Sequence, residues 1–193
     1  MMDVNIETRL AARLKAERES RGWTLAELAA RSGVSKAMAS KIERGEASPT
    51  AALLGRLATA FGLTLAQLFA RVEEGRGLLS RRAEQASWRD PETGFLRRAL
   101  SPPGPVPLDL VSGEMPAGAE IAYPRDAFLL IEDQQVAVLE GKLTIVQGEA
   151  IYQMEEGDCL RFGPPELVVF RNPGKKPCRY IVATLRRAQA SSA

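Results

Sequence analysis

Between Trp23 and Gly45 the sequence carries two short helical periodicities joined by a Gly-Val-Ser turn, and few folds accommodate that combination. Thr24 is placed to cap a helix, and Glu27, three residues on, to reach back and complete a capping box. Leu25, Leu28 and Ala29 then repeat at helical spacing. Gly33 stands where this helix must stop, because glycine tolerates the left-handed conformation that ends helices. Val34 plugs the turn, and Ser35 caps a second helix with Met38 and Ile42 as its expected buried positions. Gly45 ends it. The pattern is that of a helix-turn-helix. The outer face of its second helix presents Lys36, Ala37, Ser40, Lys41 and Arg44, which are short or cationic, as entry into a DNA major groove requires.

The rest of the composition narrows the possibilities. At 193 residues with 45% apolar content, the chain suits one large or two small globular domains. No run approaches the roughly 20 apolar residues that span a bilayer, and the first residues lack the basic-then-apolar order of a secretory signal. Cys159 and Cys178, flanked by strand-like residues, read as buried thiols of a reducing cytosol. Residues 1–70 hold 10 Lys and Arg against 7 Asp and Glu, while residues 86–193 hold 12 against 14. The mild basic excess therefore falls on the half with the helix-turn-helix, fitting phosphate contact by a domain that needs a second copy for high affinity. There is no histidine. That removes the commonest metal ligand and the usual acid-base group near neutral pH.

Around the central stretch the chain predicts three further helices. Ile6, Leu10 and Leu14 mark a buried stripe over residues 6–21, stopped by Gly22. Ser48-Pro49-Thr50 opens a fourth helix with Leu53, Leu54, Leu57, Ala58 and Phe61 on one side, and Thr64 with Gln67 caps a short fifth through Phe69. Residues 9–69 thus resemble the five-helix DNA-binding domain of the phage-repressor (XRE) family, in helix order, in the Gly33-Val34-Ser35 turn, in Ile42 to Gly45 and in Ser48 to Thr50. The resemblance implies that Arg18 pairs with Glu43. It implies that Lys36, Ala37, Ser40 and Lys41 face bases of double-stranded DNA, and that Thr24, Ser35, Arg44 and Thr50 hold phosphates through hydroxyls, a guanidinium and helix-end amides. Where the family often has a phosphate-contacting glutamine, this chain has Leu25.

Residues 71–85 are charged, broken by two glycines and without clear period, which reads as a linker; Arg76, Arg81 and Arg82 lie in it. From Ala86 the helical stripes give way to turn signals between short runs of Val, Ile, Leu and Phe. Eight strands are expected, at 95–100, 108–114, 136–139, 142–147, 150–154, 158–162, 167–171 and 179–185. Their spacing argues for an antiparallel sandwich or barrel. Gly141, and Gly157 with Asn172 fifteen residues later, make roughly residues 105–186 resemble a cupin, the double-stranded β-helix or jelly-roll barrel. In that family's frame the metal-ligand positions hold Ala127 or Phe128, Leu129 or Leu130, Gln134 and Val168, which cannot form a transition-metal site. No metal and no cofactor are expected. Strand alternation sends Gln134, Val136 and Val138 to one interior face and Val168 and Phe170 to the other. Tyr123, Gln134 and Arg161 are the polar groups with which such a barrel could hold a small effector. Trp23, Trp88 and Tyr180 read as packing residues, and Lys175-Lys176 as a solvated turn.

The expectation is a two-domain chain. An all-α helix-turn-helix domain (1–70) and a linker (71–85) precede an all-β cupin-like domain (86–187), with a flexible tail (188–193). It is a cytoplasmic, DNA-binding transcriptional regulator that acts as a homodimer. Its barrel senses a small molecule or mediates dimerisation, and it has no membrane partner and no enzymatic activity. The alternatives are a DNA-tethered cupin enzyme, and an antitoxin-like or scaffold protein whose barrel binds a partner protein.

Overall fold

Local capping sets the helical unit. The computed structural model describes residues 4–69, 78–102 and 107–187. Five α-helices occupy the first of these segments: α1 (Val4–Ser20), α2 (Leu25–Ser32), α3 (Lys36–Glu43), α4 (Ala51–Ala60) and α5 (Leu65–Phe69). At α2 both halves of the capping box form. The Glu27 amide donates to Thr24 Oγ1 at 3.2 Å and the Thr24 amide donates to the Glu27 carboxylate at 2.7 Å. Gly33 ends the helix at φ 67°, its N–H donating to the Ala29 carbonyl. Ser35 and Thr50 cap α3 and α4, and Thr64 and Gln67 form a second reciprocal cap on α5. Leu10, Leu14, Leu28, Val34, Ile42, Leu54, Leu57 and Leu68 fill the space between the helices. One expected core position is wrong: Met38 is 36% exposed, and Ala39 with Ile42 forms the buried stripe of α3. An eight-residue helix buries one i, i+3 pair, and here that pair is Ala39 and Ile42.

Beyond residue 78 ten strands form two facing antiparallel sheets. One sheet has the order β1 (Ser87–Arg89), β2 (Leu96–Ala99), β3 (Leu108–Met115), β10 (Cys178–Arg186), β5 (Ile131–Glu140) and β8 (Cys159–Arg161). The other runs β4 (Glu120–Tyr123), β9 (Val168–Arg171), β6 (Lys142–Gln147), β7 (Ala150–Glu155). The sequence reading omitted β1 and β4, which are three and four residues long. It also placed the start of β5 too late. Val136, Val138, Ile145, Val168 and Phe170 meet between the sheets. Asn172 ties the closing turns, its Nδ2 donating to the carbonyls of Met115, Pro116 and Lys176 and its Oδ1 accepting from the Gly174 amide. Gly141 takes φ 85°, and a Cβ there would lie 3.1 Å from the Pro177 carbonyl oxygen. Cys178 is buried as expected, but Cys159 is exposed, because β8 edges its sheet and Cys159 points outward from it.

The helical unit and the barrel share one core, which the reading of 71–85 as a linker did not anticipate. The Asp90 carboxylate is buried at the foot of β1 and accepts from the amide of Ala51, the first residue of α4, at 2.6 Å. Its other oxygen accepts from the Glu92 and Thr93 amides. Phe69 of α5 packs on Trp88, ring centroids 5.7 Å apart. Gly55, inside α4, brings that helix against Tyr123, whose ring would lie 3.4 Å from a Cβ. Residues 71–77, including Arg76, and the tail at 188–193 lie outside the described residues. Arg81 and Arg82 are exposed. Among the described residues no helix is long and apolar enough to cross a membrane.

Candidate DNA interface and barrel pocket

The orientation of α3 is fixed by a buried ion pair. Arg18 of α1 donates from Nε and Nη2 to the two carboxylate oxygens of Glu43, both at 2.8 Å, and from Nη1 to the Trp23 carbonyl at 2.8 Å. One guanidinium thus links α1, the entrance to α2 and the end of α3, in the bidentate geometry that arginine favours. The carboxylate hydrogen bonds raise the Arg18 pKa further, so the guanidinium stays charged. Trp23 packs against Phe61 and under Arg31, as a packing residue rather than a free ring.

Held this way, α3 exposes Lys36, Ala37, Met38 and Lys41, with Ser40 half-buried and Arg44 exposed at its end. The structure brings the expected base-facing residues onto one surface and adds Met38 to it. The phosphate-holding set is more constrained. Arg44 donates to both oxygens of Glu46, at 2.6 and 2.7 Å, and also contacts the Ser40 hydroxyl. The Arg44 guanidinium holds the Glu46 carboxyl below its usual range. A phosphate at Arg44 must therefore compete with a carboxylate. The Thr24 hydroxyl is engaged in both directions by Glu27, donating to its carboxylate and accepting from its amide. Ser35 and Thr50 accept from Met38 and Leu53 amides, leaving their hydroxyl protons available to a phosphate. At the start of α4 one correction applies: the Ala51 amide is already taken by Asp90, so Thr50 brings its hydroxyl without that helix-end amide.

The barrel contains a cavity of about 110 Å³. Of the residues expected to line it, Tyr123, Gln134 and Phe170 do. Val136, Val138 and Val168 point inward but are sealed in the intersheet core, because the barrel is filled at that level. Arg161 is a correction: it lies outside, 71% exposed and paired with Asp133 at 2.8 Å, since β8 turns it away from the interior. Ala127 and Phe128 border the cavity from a 3-10 turn (Arg125–Phe128) and not from a strand. Gln134 donates to Thr184 at 2.8 Å, and Val168 offers only hydrocarbon, so the positions implied for a metal do not fit one.

Several contributors went unnoticed in the sequence. Thr64 and Leu65, at the start of α5, border the cavity from the helical unit. Arg97 of β2 borders it too, is 4% exposed, and lays its guanidinium 4.5 Å from the Phe69 ring centroid. Burial pushes its pKa down to about 10, with the Tyr123 and Asp109 charges pulling the other way, so it remains a cation near neutral pH. The alternation Phe95, Arg97, Ala99 already put this arginine on the face shared with Phe95.

These surfaces meet known proteins in the following way. Residues 14–68 match the family described as Helix-turn-helix (HTH_3). The HTH-type transcriptional regulator SutR of Escherichia coli (strain K12) is 27% identical over 178 residues, 91% of this chain and 94% of its own length. The crystal structure of an HTH_3 family transcriptional regulator from Vibrio cholerae superposes on 96% of the chain, and 99% of its own, at 27% identity and a TM-score of 0.76. A cupin domain of an XRE family regulator from Enterobacter cloacae aligns with 49% of the chain, and 98% of its own, at 16% identity and a TM-score of 0.44. Residues 14–68 form a helix-turn-helix domain, and the chain has regulator relatives along nearly its whole length.

Proposed function

We propose that this chain is a transcriptional regulator that binds double-stranded DNA as a cytoplasmic homodimer and reads sequence with α3. The observation that carries the reading is the exposed face of Lys36, Ala37, Ser40 and Lys41, set in place by the bidentate Arg18–Glu43 pair. Regulators similar over nearly the whole length of the chain support it. One copy offers a single short helix and few free cations, so two copies on a two-fold operator, with half-sites about one helical turn apart, supply the affinity. Size-exclusion with light scattering tests the dimer. A monomer that still occupied an operator tightly would contradict it.

The barrel, read as a cupin of jelly-roll type, serves as the sensing part and does no chemistry of its own. The cavity and its contact with α5 support this role. An effector there changes DNA affinity to the extent that it binds one arrangement of the two units better than another. Absence of enzymatic metal chemistry follows from Gln134 and Val168 at the implied ligand positions. Elemental analysis of purified protein checks it, since stoichiometric iron, manganese or zinc would overturn it.

A further inference from the structure

Three hydrogen-bond donors converge on the barrel cavity with no acceptor assigned to them. Arg97 is 4% exposed and has no hydrogen bond or ion pair among the described residues; its guanidinium lies against the Phe69 ring. A buried, unpaired guanidinium is costly unless something satisfies it. Asp109, the acid whose charge reaches it, is already 3.0 Å from Arg186. The other two donors are phenols. Tyr180 is 3% exposed, and neither it nor Tyr123 has a hydrogen-bond partner among the described residues. Burial raises both phenol pKa values, so each keeps its proton to donate. Room for the Tyr180 ring comes from Gly113 across the β3–β10 pair, where a Cβ would lie 2.5 Å from the ring. Next to these donors the wall is hydrocarbon from Phe95, Phe128, Ile131 and Phe170.

We propose that this cavity binds a small carboxylate, its anionic head on Arg97 and the hydroxyls of Tyr123 and Tyr180, and its apolar body against the aromatic wall. A guanidinium with two O–H donors matches a carboxylate's lone pairs, and charge-assisted bonds of this kind are the strong ones. The apolar wall selects a hydrocarbon body over a bare inorganic anion. The volume of about 110 Å³ sets the size, roughly four to six non-hydrogen atoms, since a ~150 Å³ cavity takes the six carbons of benzene. Thr64 and Leu65 close the site from the helical unit, and Phe69, stacked on Arg97, belongs to the same short helix. The occupant is therefore in contact with both units. This deepens the sensing role proposed for the barrel and rests on it only for the consequence at DNA, because the anion site is measured without DNA.

The experiment titrates the full-length chain with acetate, propanoate and 2-methylpropanoate, each beside its uncharged amide, by ligand-observed NMR. The carboxylates are expected to bind at least about tenfold tighter than their amides. Arg97→Met should abolish that preference, and Tyr123→Phe, a milder change that keeps the ring, should reduce it several-fold. Circular dichroism melts establish that each variant is folded; if Arg97→Met is not, the Tyr123→Phe result decides. Equal binding of acids and amides, no binding of any acid, or an undiminished preference in the folded variants would overturn the proposal. Operator binding that responds only to an uncharged molecule would remove this anion site and leave the sensing role standing. Carboxylate binding with no operator found would do the reverse.

Discussion

The surface that α3 presents is drawn from residues 36–44 alone, whereas the barrel cavity is assembled from α5, β2, β3, β4, β5, β9 and β10. The first is written by neighbours in sequence: a capping serine, one buried i, i+3 pair, and the side chains left over. The second exists only once strands far apart in sequence pair in register, as when Thr184 comes to lie opposite Gln134 and Gly113 opposite Tyr180. A local surface tolerates substitution without disturbing its neighbours. A surface built from many elements couples whatever fills it to all of them. The DNA-reading and sensing roles proposed for this chain sit at those two extremes, joined by α5 and by Asp90 at the head of α4.

The comparison can be tested by breaking the few long-range contacts on which the local surface depends. The largest effect is expected at Glu43. Replacing it with alanine leaves Arg18, whose side chain is 13% exposed, with only the exposed Glu19 carboxylate at 3.4 Å as counter-charge. Stability should fall by about 3–5 kcal/mol in urea unfolding, and the double change Arg18→Met with Glu43→Leu should recover most of it. Next is Asp90→Asn, which weakens the anchor at the Ala51 amide and the helix N-terminus. A loss of about 1–2 kcal/mol is expected, and thermal unfolding followed by circular dichroism should broaden as the two units lose their shared cooperativity.

At the DNA surface the effects are of similar or smaller size and should leave the fold untouched. Lys41→Ala should cost about 1–3 kcal/mol on the preferred site and less on random DNA, while Arg44→Ala should weaken both alike. Negligible change from both would remove α3 as the reading element. Glu46→Gln frees Arg44 from its carboxylate and should tighten binding to any sequence by a few-fold, a small effect because the pair is exposed. Fluorescence anisotropy at two salt concentrations measures all three. The smallest effect is that of pH at Glu27. Hydrogen bonds from Thr24 hold its carboxyl below its usual range, so its contribution is present above the unfolded-state value and lost as pH falls through the lower, folded one. Acid titration of stability should therefore lose a small acidic component in Glu27→Gln.

The same contrast explains what could be read from the sequence. Thr24 with Glu27, Gly33, Ser35 and the Thr64–Gln67 cap are short-range devices, and each appears where its spacing placed it. Met38 misled because a methionine four residues before Ile42 fits a helical stripe, whereas Ala39 is the smaller residue that lets α3 approach its neighbours. In the barrel, the glycine and asparagine turns and eight of the ten described strands were legible; β1 and β4 were not, although they are no shorter than β8 and β9. Asp90 looked like an ordinary turn residue; nothing local says that α4 will come to rest on it. Arg97 was the readable omission. An arginine between Phe95 and Ala99 on an inward face contradicts the apolar pattern around it, and such a contradiction marks a site.

The central claim is that α3 selects a DNA sequence, and selection of genomic fragments by the full-length chain tests it directly, run beside a variant carrying Lys36→Ala and Lys41→Ala. The structure predicts that the unaltered chain enriches fragments sharing a two-fold element, with half-sites about one helical turn apart, and that the variant, folded to the same melting temperature, enriches none. Fragments without a shared element, or the same element recovered equally by the variant, would contradict it.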